Sequence, residues 1–474
     1  MSEIRFGTDG WRGVIARDFT FDNVALCAQG TANYLKKNGI TERGIVVGYD
    51  TRFASEDFAA TVAEVLAGNG IKVYLCDRAA PTPVVGYNIV YLKAEGAIVI
   101  TASHNPARWN GFKFRPSYAG SAAPEVTAAL EEGIAVAEKE GVLSTTLDDA
   151  RDSGIVQDID PTPAYFEQIA RLVDLEALNK GGFNVLVDAM FGAGAGYLPK
   201  LLSGGKNTIL ELHSERNPAF PGIHNPEPIA RNLQALQRLV VDRRADVGLA
   251  LDGDADRLGV VDEKGGFVTP LQVFALLAYY MLEVRGERGA LVKSVTATSM
   301  IHRLGEKYGV PVFETPVGFK HICPIMKREN ALIGGEESGG YAIQGHIPER
   351  DGALCGLLFL DLMRRTGKTP TELVEQIYDM VGPHHYDRRD IAFPARMRHG
   401  LERKVAQGGI PDLAGVEVVD EDDIDGKRFH LEGGAWVAVR FSGTEPLLRI
   451  YAEAKDPDVV SRLLDAAEEF LGLR

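Results

Sequence analysis

The sequence predicts an α/β protein of several domains that ends in a smaller α+β domain. Up to residue 369, short apolar runs rich in β-branched residues alternate with helical stretches of ten or more residues, which is typical of βαβ units. From residue 370 onward the chain is richer in strands and ends in a helix. Its 474 residues, of which 45% are hydrophobic, are enough for a large core and for about three or four domains.

The composition excludes several classes of partner. The net charge is −15 and the chain has no basic stripe, so we expect no nucleic-acid partner. No run approaches the ~18 apolar residues of a membrane span, and the N-terminal stretch MSEIRFGTDG has no apolar signal region. The four cysteines are scattered without a CxxC pair, which favours reduced thiols over disulfides or a zinc site. We therefore expect a cytoplasmic protein that does not bind a membrane.

The alternating elements divide the chain into four segments. They cover residues 1–150, 151–257, 258–369 and 370–474. The first segment begins with a glycine-punctuated turn at 7–13 that carries Asp9 and Arg12. The polar stretch at 148–160 is expected to be the linker between the first two segments. We expect the first three segments to be α/β domains and the last to be an α+β domain.

Each element is predicted from its periodicity and from the residues at its ends. In the first three segments the predicted strands cover residues 45–49, 72–75, 96–100, 183–187, 246–251, 290–293 and 311–314. The predicted helices of these segments cover residues 22–38, 56–68, 83–92, 124–141, 163–178, 229–243, 271–284, 299–309 and 351–365. In the last segment, strands are predicted near 416–419, 428–431, 436–441 and 448–453, with helices at 370–380 and 456–471.

The first candidate site is the loop TASHNP at residues 101–106, which follows the buried strand predicted at 96–100. It places Ser103 at the carboxyl end of a strand, where open α/β sheets bind ligands. The alternative is a Ser/Asn turn that only ends the strand, with Pro106 starting the next element. This loop alone does not decide between the two.

The second candidate site is DGDADR at residues 252–257, which has three carboxylates at alternate positions directly after a predicted strand. Asp252, Asp254 and Asp256 could direct three oxygen ligands at one Mg²⁺. An EF-hand also begins D-x-D-x-D, but here Arg257 takes the place of glycine and the flanking segments are strands. In the remaining alternative, a solvent-facing acidic turn, three such close carboxylates would repel one another without a cation. We therefore expect a metal site.

Two further loops carry groups suited to a sugar phosphate. GGEESGG at 334–340 offers two carboxylates and a hydroxyl to sugar hydroxyls, although as a bare pattern it is only a turn. RFSGTEP at 440–446, followed by Arg449, offers amides, hydroxyls and guanidiniums to a phosphate, or else forms a hairpin turn with surface arginines. By contrast, FGAGAG at 191–196 lacks the third glycine of a dinucleotide turn, and PAFPGIHNPEP at 218–228 indicates only an ordered loop.

The four motifs TASHNP, DGDADR, GEES and RFSGTEP occur in the order found in the α-D-phosphohexomutases, and the chain resembles this family over essentially its whole length. FGTDGWRG, VDAMFGAGAG and FPGIHNPEP also look like family stretches. The family includes phosphoglucomutase, phosphomannomutase and phosphoglucosamine mutase. The resemblance implies three related α/β domains and a smaller C-terminal α+β domain around a central cleft, which each domain lines with one motif.

The resemblance also implies a role for each motif residue. Ser103 would carry the phosphoryl group, and Asp252, Asp254 and Asp256 would hold Mg²⁺ together with the serine phosphate. The transfer site would be lined by Arg12, His104, Lys113 and Arg257, with Lys113 or His104 handling protons. Sugar hydroxyls would be bound by Glu336 and Ser338, with Lys320 from a TPVGFK stretch that resembles that of phosphoglucomutases. The non-reacting phosphate would be bound by Arg440, Ser442, Gly443, Thr444 and Arg449.

The implied reaction exchanges a phosphoryl group between O1 and O6 of a hexose phosphate, through a phosphoserine enzyme and glucose 1,6-bisphosphate. We expect sugar phosphates as the small-molecule partners of a monomer or homodimer. The GEES loop is similar to that of glucose-specific enzymes, and Gly340 stands where mannose and glucosamine enzymes usually have histidine. The phosphate loop resembles the mannose and glucosamine branches instead. We predict glucose 1-phosphate as the best substrate, mannose 1-phosphate as weaker and glucosamine phosphate as poor, with phosphoglucosamine mutase as the alternative.

Two other classes of protein fit the sequence less well. A serine hydrolase that uses Ser103 is disfavoured because no G-x-S-x-G elbow occurs and because a hydrolase has no use for the aspartate loop. A sugar-phosphate binding protein without turnover is disfavoured because Ser103 and all three aspartates are intact. Phosphate on Ser103 of the purified protein would separate the three classes.

Overall fold

A computed structural model describes residues 4–7, 9–441 and 447–473. Four sheets form in this part of the chain, three of them mixed and the last antiparallel. The predicted architecture of three α/β domains and a C-terminal α+β domain is confirmed. None of the helices in the described ranges is long and apolar enough to cross a membrane.

The first sheet has the strand order β1-β5-β4-β2-β3-β6, in which β4, β2, β3 and β6 run parallel. Its strands are β1 (Trp11–Val14), β2 (Ile45–Tyr49), β3 (Val73–Cys76), β4 (Gly96–Ile100), β5 (Trp109–Pro116) and β6 (Val156–Ile159). Its helices are α1 (Phe21–Lys37), α2 (Ser55–Gly68), α3 (Thr82–Leu92), α4 (Pro124–Glu140) and α5 (Leu147–Asp152). The stretch 148–160 is therefore not a linker, because β6 pairs with β3 at the sheet edge and leaves its polar residues Gln157 and Asp158 exposed.

The second sheet has the order β11-β10-β9-β7-β8, in which β9, β7 and β8 run parallel. Its strands are β7 (Asn184–Asp188), β8 (Thr208–Leu212), β9 (Val247–Leu251), β10 (Leu258–Val261) and β11 (Phe267–Val268). Its helices are α6 (Thr162–Leu172), α7 (Leu175–Asn179), α8 (Tyr197–Leu201) and α9 (Gln234–Arg243), with a 3-10 turn at Ala230–Asn232. The helix predicted at 163–178 is divided in two because Asp174 caps α7, its carboxylate accepting from Ala177 N at 3.0 Å. The sheet extends past residue 257 into β11.

The third sheet has the order β13-β12-β14-β15, and β15 alone of these strands runs antiparallel to its neighbour. Its strands are β12 (Leu291–Ser294), β13 (Val312–Thr315), β14 (Ile333–Gly335) and β15 (Tyr341–Ile343). Its helices are α10 (Pro270–Tyr279), which continues as a π turn at Tyr280–Val284, α11 (Met300–Tyr308), α12 (Phe319–Glu329) and α13 (Gly352–Thr366). α12 contains Pro324, and we did not predict it.

The fourth sheet has the order β16-β21-β20-β19-β18-β17. Its strands are β16 (His385–Ala392), β17 (Asp412–Leu413), β18 (Val416–Asp422), β19 (Lys427–Leu431), β20 (Trp436–Phe441) and β21 (Leu447–Ala454). The helices after residue 369 are α14 (Pro370–Val381), α15 (Arg398–Gln407) and α16 (Pro457–Leu471), with 3-10 turns at Ala395–Met397 and Glu432–Gly434. α14 packs against α10 and α11 of the third domain.

The three α/β domains place their motif loops at the same point of the fold. The serine loop joins parallel β4 to antiparallel β5, the aspartate loop joins β9 to β10, and the GEES loop joins β14 to β15. Each loop thus leaves the carboxyl end of a parallel strand, where α/β sheets bind ligands. This repeated placement directs the serine hydroxyl, the aspartate carboxylates and the polar groups of the GEES loop towards the same part of the molecule.

Candidate active site

Ser103 lies at the end of β4 and is buried. Its backbone is left-handed, with φ of 51°, a conformation that costs a non-glycine residue energy and is held by its surroundings. Its Oγ donates a hydrogen bond to Asp252 Oδ2 at 2.9 Å and lies 3.3 Å from His104 Nδ1. The fold therefore brings the serine loop and the aspartate loop, almost 150 residues apart, into direct contact.

The three aspartates of the second motif converge as predicted from their spacing. One oxygen of each carboxylate lies within 4.8 Å of the others, and all three side chains are fully buried. Asp252 is engaged on both oxygens, since Oδ1 accepts from Arg257 N at 3.0 Å and Oδ2 accepts from Ser103. The turn that allows this has Ala255 in a left-handed conformation, with φ of 57°.

The other two aspartates make their short contacts through Oδ2. Asp254 Oδ2 accepts from Lys113 Nζ at 2.8 Å and from Thr82 Oγ1 at 2.6 Å. Asp256 Oδ2 lies 2.9 Å from Arg350 Nη2. This contact is an ion pair, but its angles are not those of a hydrogen bond. Among the described residues, Oδ1 of Asp254 and Oδ1 of Asp256 have no hydrogen-bond partner although they are buried. Unpartnered buried carboxylate oxygens are costly, and this donor set fits Mg²⁺.

The pKa values of the three carboxyl groups differ because their neighbours differ. Burial raises the pKa of Asp252 well above its usual range, and the charges of Asp256 and Asp254 add to the effect. Burial also raises the pKa of Asp256. Burial acts in the same direction on Asp254, but the ammonium of Lys113 outweighs it and holds the pKa of that carboxyl below its usual range. The protein's own cations leave part of this negative charge uncompensated, which is the property of a cation site.

Basic groups surround the serine loop. Arg12 donates to Asn105 Oδ1 at 2.6 Å, and Arg257 donates to Glu227 Oε1 at 3.4 Å. Burial, followed by the charges of Arg257 and Arg12, holds the pKa of His104 well below its usual range. The imidazole is therefore neutral at neutral pH. A neutral imidazole beside a hydroxyl can accept its proton.

A network of buried charges, of which only Lys113 was predicted as a site residue, joins the first and third domains next to the metal loop. Asp9 pairs with Lys113 at 2.8 Å, with Arg115 at 2.6 Å and with Arg350 at 2.9 Å. Arg350 is the residue that the third domain contributes to this network. Its side chain packs against Gly340, which has no Cβ to obstruct it. A Cβ on Gly340 would lie 2.2 Å from Cδ of Arg350. No sequence motif indicated Arg350, because its two partners in this network outside its own loop, Asp256 and Asp9, lie 94 and 341 residues away.

The GEES loop is anchored to the stretch that carries Lys320. Glu336 is buried, and its Oε1 accepts from Gly318 N at 2.7 Å. Burial raises the pKa of Glu336 to about 7, although Arg350 acts against the shift. Ser338 and Lys320 are half-buried, and within the described ranges neither has a hydrogen-bond or ion-pair partner. Both side chains are thus available to a ligand.

The two predicted phosphate-binding arginines lie side by side on neighbouring strands. Arg440 of β20 and Arg449 of β21 are direct register partners. Arg440 Nε lies 2.9 Å from Asp425 Oδ2, and Arg449 Nε lies 3.8 Å from an oxygen of Asp390. The other residues of this motif in our prediction, Ser442, Gly443 and Thr444, lie outside the described residues. Asp425 also accepts from Val317 N at 2.8 Å, which links Arg440 to the Lys320 stretch.

Comparison with known proteins covers all four domains. Sequence models described as phosphoglucomutase/phosphomannomutase alpha/beta/alpha domains I, II and III match residues 3–140, 163–266 and 269–381, and that of the C-terminal domain matches 401–470. The chain is 30% identical over 466 residues to a phosphoglucomutase/phosphomannomutase of Thermococcus kodakarensis, covering 98% of each chain. It is 29% identical over 474 residues, with 98% of each covered, to a phosphoglucosamine/phosphogalactosamine mutase of Sulfurisphaera tokodaii. A crystal structure from Thermus thermophilus that carries the name phosphomannomutase superposes with a TM-score of 0.86 at 37% identity, covering 99% of each chain.

Proteins with this fold and this kind of centre are intramolecular phosphotransferases of the isomerase class, and the chain is an enzyme of that class. It belongs to the phosphoglucomutase/phosphomannomutase family of the α-D-phosphohexomutases. The relatives carry glucose, mannose and glucosamine names, so membership of the family does not select one sugar.

Proposed function

We propose that this enzyme interconverts hexose 1-phosphates and hexose 6-phosphates through a phosphoserine at Ser103 and a sugar 1,6-bisphosphate, with glucose phosphate as its preferred substrate. The hydrogen bond from Ser103 Oγ to Asp252 carries this proposal. It joins a buried hydroxyl to a carboxylate cluster whose donor set fits Mg²⁺. Phosphoryl transfer depends on in-line placement and on neutralised charge more than on a strong nucleophile, which supports this role for a buried serine beside carboxylates and cations.

Asp252, Asp254 and Asp256 would hold Mg²⁺ together with the phosphate on Ser103. When bound, the ion would neutralise charge that develops on the transferred phosphoryl group. Arg12 and Arg257 would face the phosphate oxygens from the cleft side, where guanidiniums suit phosphate geometry. Glucose 1,6-bisphosphate would prime the serine and would form again in each turnover.

His104 is better placed than Lys113 to accept the proton of the serine hydroxyl. Its Nδ1 lies 3.3 Å from Ser103 Oγ. The ammonium of Lys113 lies 2.8 Å from both Asp9 and Asp254, so its hydrogen-bonding capacity is largely used. We infer that Lys113 holds the metal loop in place and that His104 moves the proton.

The sugar would lie between the GEES loop and the paired arginines. Glu336 and Ser338 would bind its hydroxyls, and Lys320 would contact it from the first turn of α12. Arg440 and Arg449, with Ser442, Gly443 and Thr444, would hold the phosphate that does not react. The bisphosphate must turn over between the two transfers, because the serine is on one domain and the arginines are on another.

The preference for glucose rests on the GEES loop. Its second acidic residue, Glu337, pairs with Arg388 at 3.2 Å. The space beside Gly340, where a histidine would stand in mannose and glucosamine enzymes, is filled by Arg350. This supports a site that recognises the sugar without a histidine at that point.

The test has two parts. Mass spectrometry should find phosphate on the peptide that contains Ser103 in the wild type and not in Ser103→Ala, which should lose nearly all mutase activity. The values of kcat/KM for the 1-phosphates of glucose, mannose, glucosamine and ribose, with saturating glucose 1,6-bisphosphate and Mg²⁺, should then be highest for glucose. A catalytically normal Ser103→Ala variant would overturn the mechanism. A tenfold or greater preference for glucosamine phosphate would overturn only the choice of sugar.

A further inference from the structure

The backbone carbonyls of the serine loop are held by side chains from outside the loop. Nη2 of Arg52 donates to Ser103 O and to Asn105 O, both at 2.6 Å. Nη1 of Arg52 donates to Pro106 O and to Trp109 O, both at 3.0 Å. The remaining carbonyl of this run, His104 O, accepts from Asn225 Nδ2 at 2.8 Å. Every carbonyl from residue 103 to residue 106 is therefore bound by one of two side chains.

Arg52 is suited to this task because its guanidinium is rigid and fully buried. A buried cation needs a counter-charge, which Asp50 provides with Oδ2 at 3.2 Å from Nε of Arg52. The same Asp50 carboxylate accepts from Thr101 Oγ1 at 2.6 Å, at the start of the loop. Arg52 and Asp50 thus fix the loop from the side of the first domain.

The second domain supports this arrangement through the segment 216–227, which contacts Arg52 and, through Asn225, the loop itself. Phe220 packs its ring 5.1 Å from the guanidinium carbon of Arg52. Arg216 donates to the carbonyl oxygens of Thr51 and Arg52 at 3.2 and 3.3 Å. This segment includes most of the proline-rich stretch, which the proposed chemistry otherwise leaves without a role.

The same segment also contacts the metal loop. Pro226 O accepts from Gly253 N at 3.2 Å. A Cβ on Gly253 would lie only 2.5 Å from Ser103 O, so any larger residue at position 253 would collide with the serine loop. A small shift of the serine loop would therefore change the distance between Ser103 Oγ and the carboxylates.

We propose that Arg52 and Asn225 are positioning residues that hold the backbone of the serine loop, and with it Ser103, in line for phosphoryl transfer. This inference rests on the proposed function of Ser103. The left-handed backbone of Ser103 is unfavourable by itself and persists only where the surroundings enforce it. Neither side chain is expected to touch the sugar, because both bind the backbone of the loop.

The test compares Arg52→Lys and Asn225→Ala with the matched control Asn88→Ala. Lysine keeps the positive charge but cannot donate to four carbonyls. Alanine at 225 removes the bond to His104 O, together with the bonds to Glu227 at 3.2 Å and from Asn232 at 3.1 Å. Asn88 lies on α3 and is also buried, and its amide donates to two carbonyls, Val84 O and Pro161 O. It has no contact with the serine loop among these bonds. In the two loop variants, kcat should fall about 10- to 100-fold with KM for glucose 1-phosphate nearly unchanged, because placement and not binding is disturbed. Asn88→Ala should keep the wild-type kcat.

Amide hydrogen exchange on peptides that cover residues 101–110 supplies a readout that does not depend on activity. Exchange there should be faster in Arg52→Lys and Asn225→Ala than in the wild type, and unchanged in Asn88→Ala. Wild-type exchange and wild-type kcat in both loop variants would overturn the proposal. The proposal would also be overturned if exchange rose across the whole first domain and if KM and kcat changed together. That result would show that the two residues stabilise the domain as a whole and do not position the serine loop. If Arg52→Lys does not fold, Asn225→Ala decides alone.

The two proposals fail in different ways. A wild type with no mutase activity and no phosphate on Ser103 would reject the proposed function, and the exchange experiment would still judge whether Arg52 and Asn225 hold the loop.

Discussion

Replacing Asp254 with asparagine tests the metal site most directly. Asparagine keeps the shape of the side chain but removes its charge, which faces Lys113 at 2.8 Å in a fully buried position. Breaking a buried ion pair from one side costs about 3–5 kcal/mol. Lys113 would keep two other partners, Asp9 at 2.8 Å and Asp256 at 3.8 Å. We therefore expect the free energy of unfolding to fall by about 2–3 kcal/mol, which is less than for a pair with no other partner.

Thermal unfolding with and without Mg²⁺ separates this loss from the loss of the metal. A ligand at 100 times its dissociation constant stabilises the folded state by about 2.7 kcal/mol, so Mg²⁺ should raise the Tm of the wild type. Asp254→Asn should keep its fold, lose nearly all mutase activity and lose most of the Mg²⁺-dependent rise in Tm. EDTA should abolish wild-type activity reversibly.

Asp361→Asn is the matched control for Asp254→Asn. Its carboxylate is also buried and binds Tyr280 at 2.5 Å, Arg364 at 2.8 Å and Arg365 at 2.7 Å, away from the motif loops. It should lose stability by a similar amount yet keep both activity and the response to Mg²⁺. Full turnover of the wild type in EDTA, or an unchanged Mg²⁺ response in Asp254→Asn, would refute the assignment of the metal.

The other predictions concern the sugar and phosphate subsites. Arg440→Ala or Arg449→Ala removes a charge-assisted hydrogen bond worth about 1.5–3 kcal/mol, so KM for glucose 1-phosphate should rise about 10- to 150-fold; an unchanged KM in both variants would place the phosphate elsewhere. The pKa of Glu336 is raised to about 7, so its carboxylate is protonated below that pH and ionised above it. Because only the ionised form accepts fully from sugar hydroxyls, kcat/KM should rise with pH through about 7, and Glu336→Gln should remove this limb of the profile. Gly340→Ala should displace Arg350, because the new Cβ would lie 2.2 Å from its Cδ, and should lower kcat/KM; wild-type kinetics would show that Arg350 can move freely.

Of the fifteen strands described in the first three domains, seven could be given bounds from the sequence because they are short apolar runs, and β2 and β4 have the predicted bounds. Two of the elements that were missed show how that signal can be absent. β6 is an edge strand, so Gln157 and Asp158 face solvent and the stretch resembles a linker. α12 contains Pro324, which normally argues against a helix interior.

The motif loops of the candidate site could be located for a similar reason, since each is short, contiguous and follows an apolar strand, while the resemblance to the family supplied the roles expected of their residues. Their partners could not. Arg350 contacts Asp9 across 341 positions of the chain, and Arg52 reaches carbonyls more than 50 residues away. A single arginine in YDTR or HIPERDG has no local feature that distinguishes it from a surface arginine, and only the packing of domains against one another assigns its partners.

The proposed mechanism leads us to expect that the cleft closes over the substrate, and the packing of the four domains indicates which part would move. One hydrophobic core crosses the first three domains from α3 through β9 to β14 and includes α14, and the first domain has a further core around α1, α2 and β2. The sheet of the fourth domain has a separate core around β20, β21 and α16. Polar contacts join the fourth domain to the third, among them Arg428 with Glu314 at 2.7 Å and Arg388 with Glu337 at 3.2 Å. A close-packed shared core resists shear, while ion pairs can exchange partners as surfaces slide. Closure should therefore turn the fourth domain as a unit, so that the reacting groups belong to the rigid part and the phosphate-binding arginines belong to the moving part.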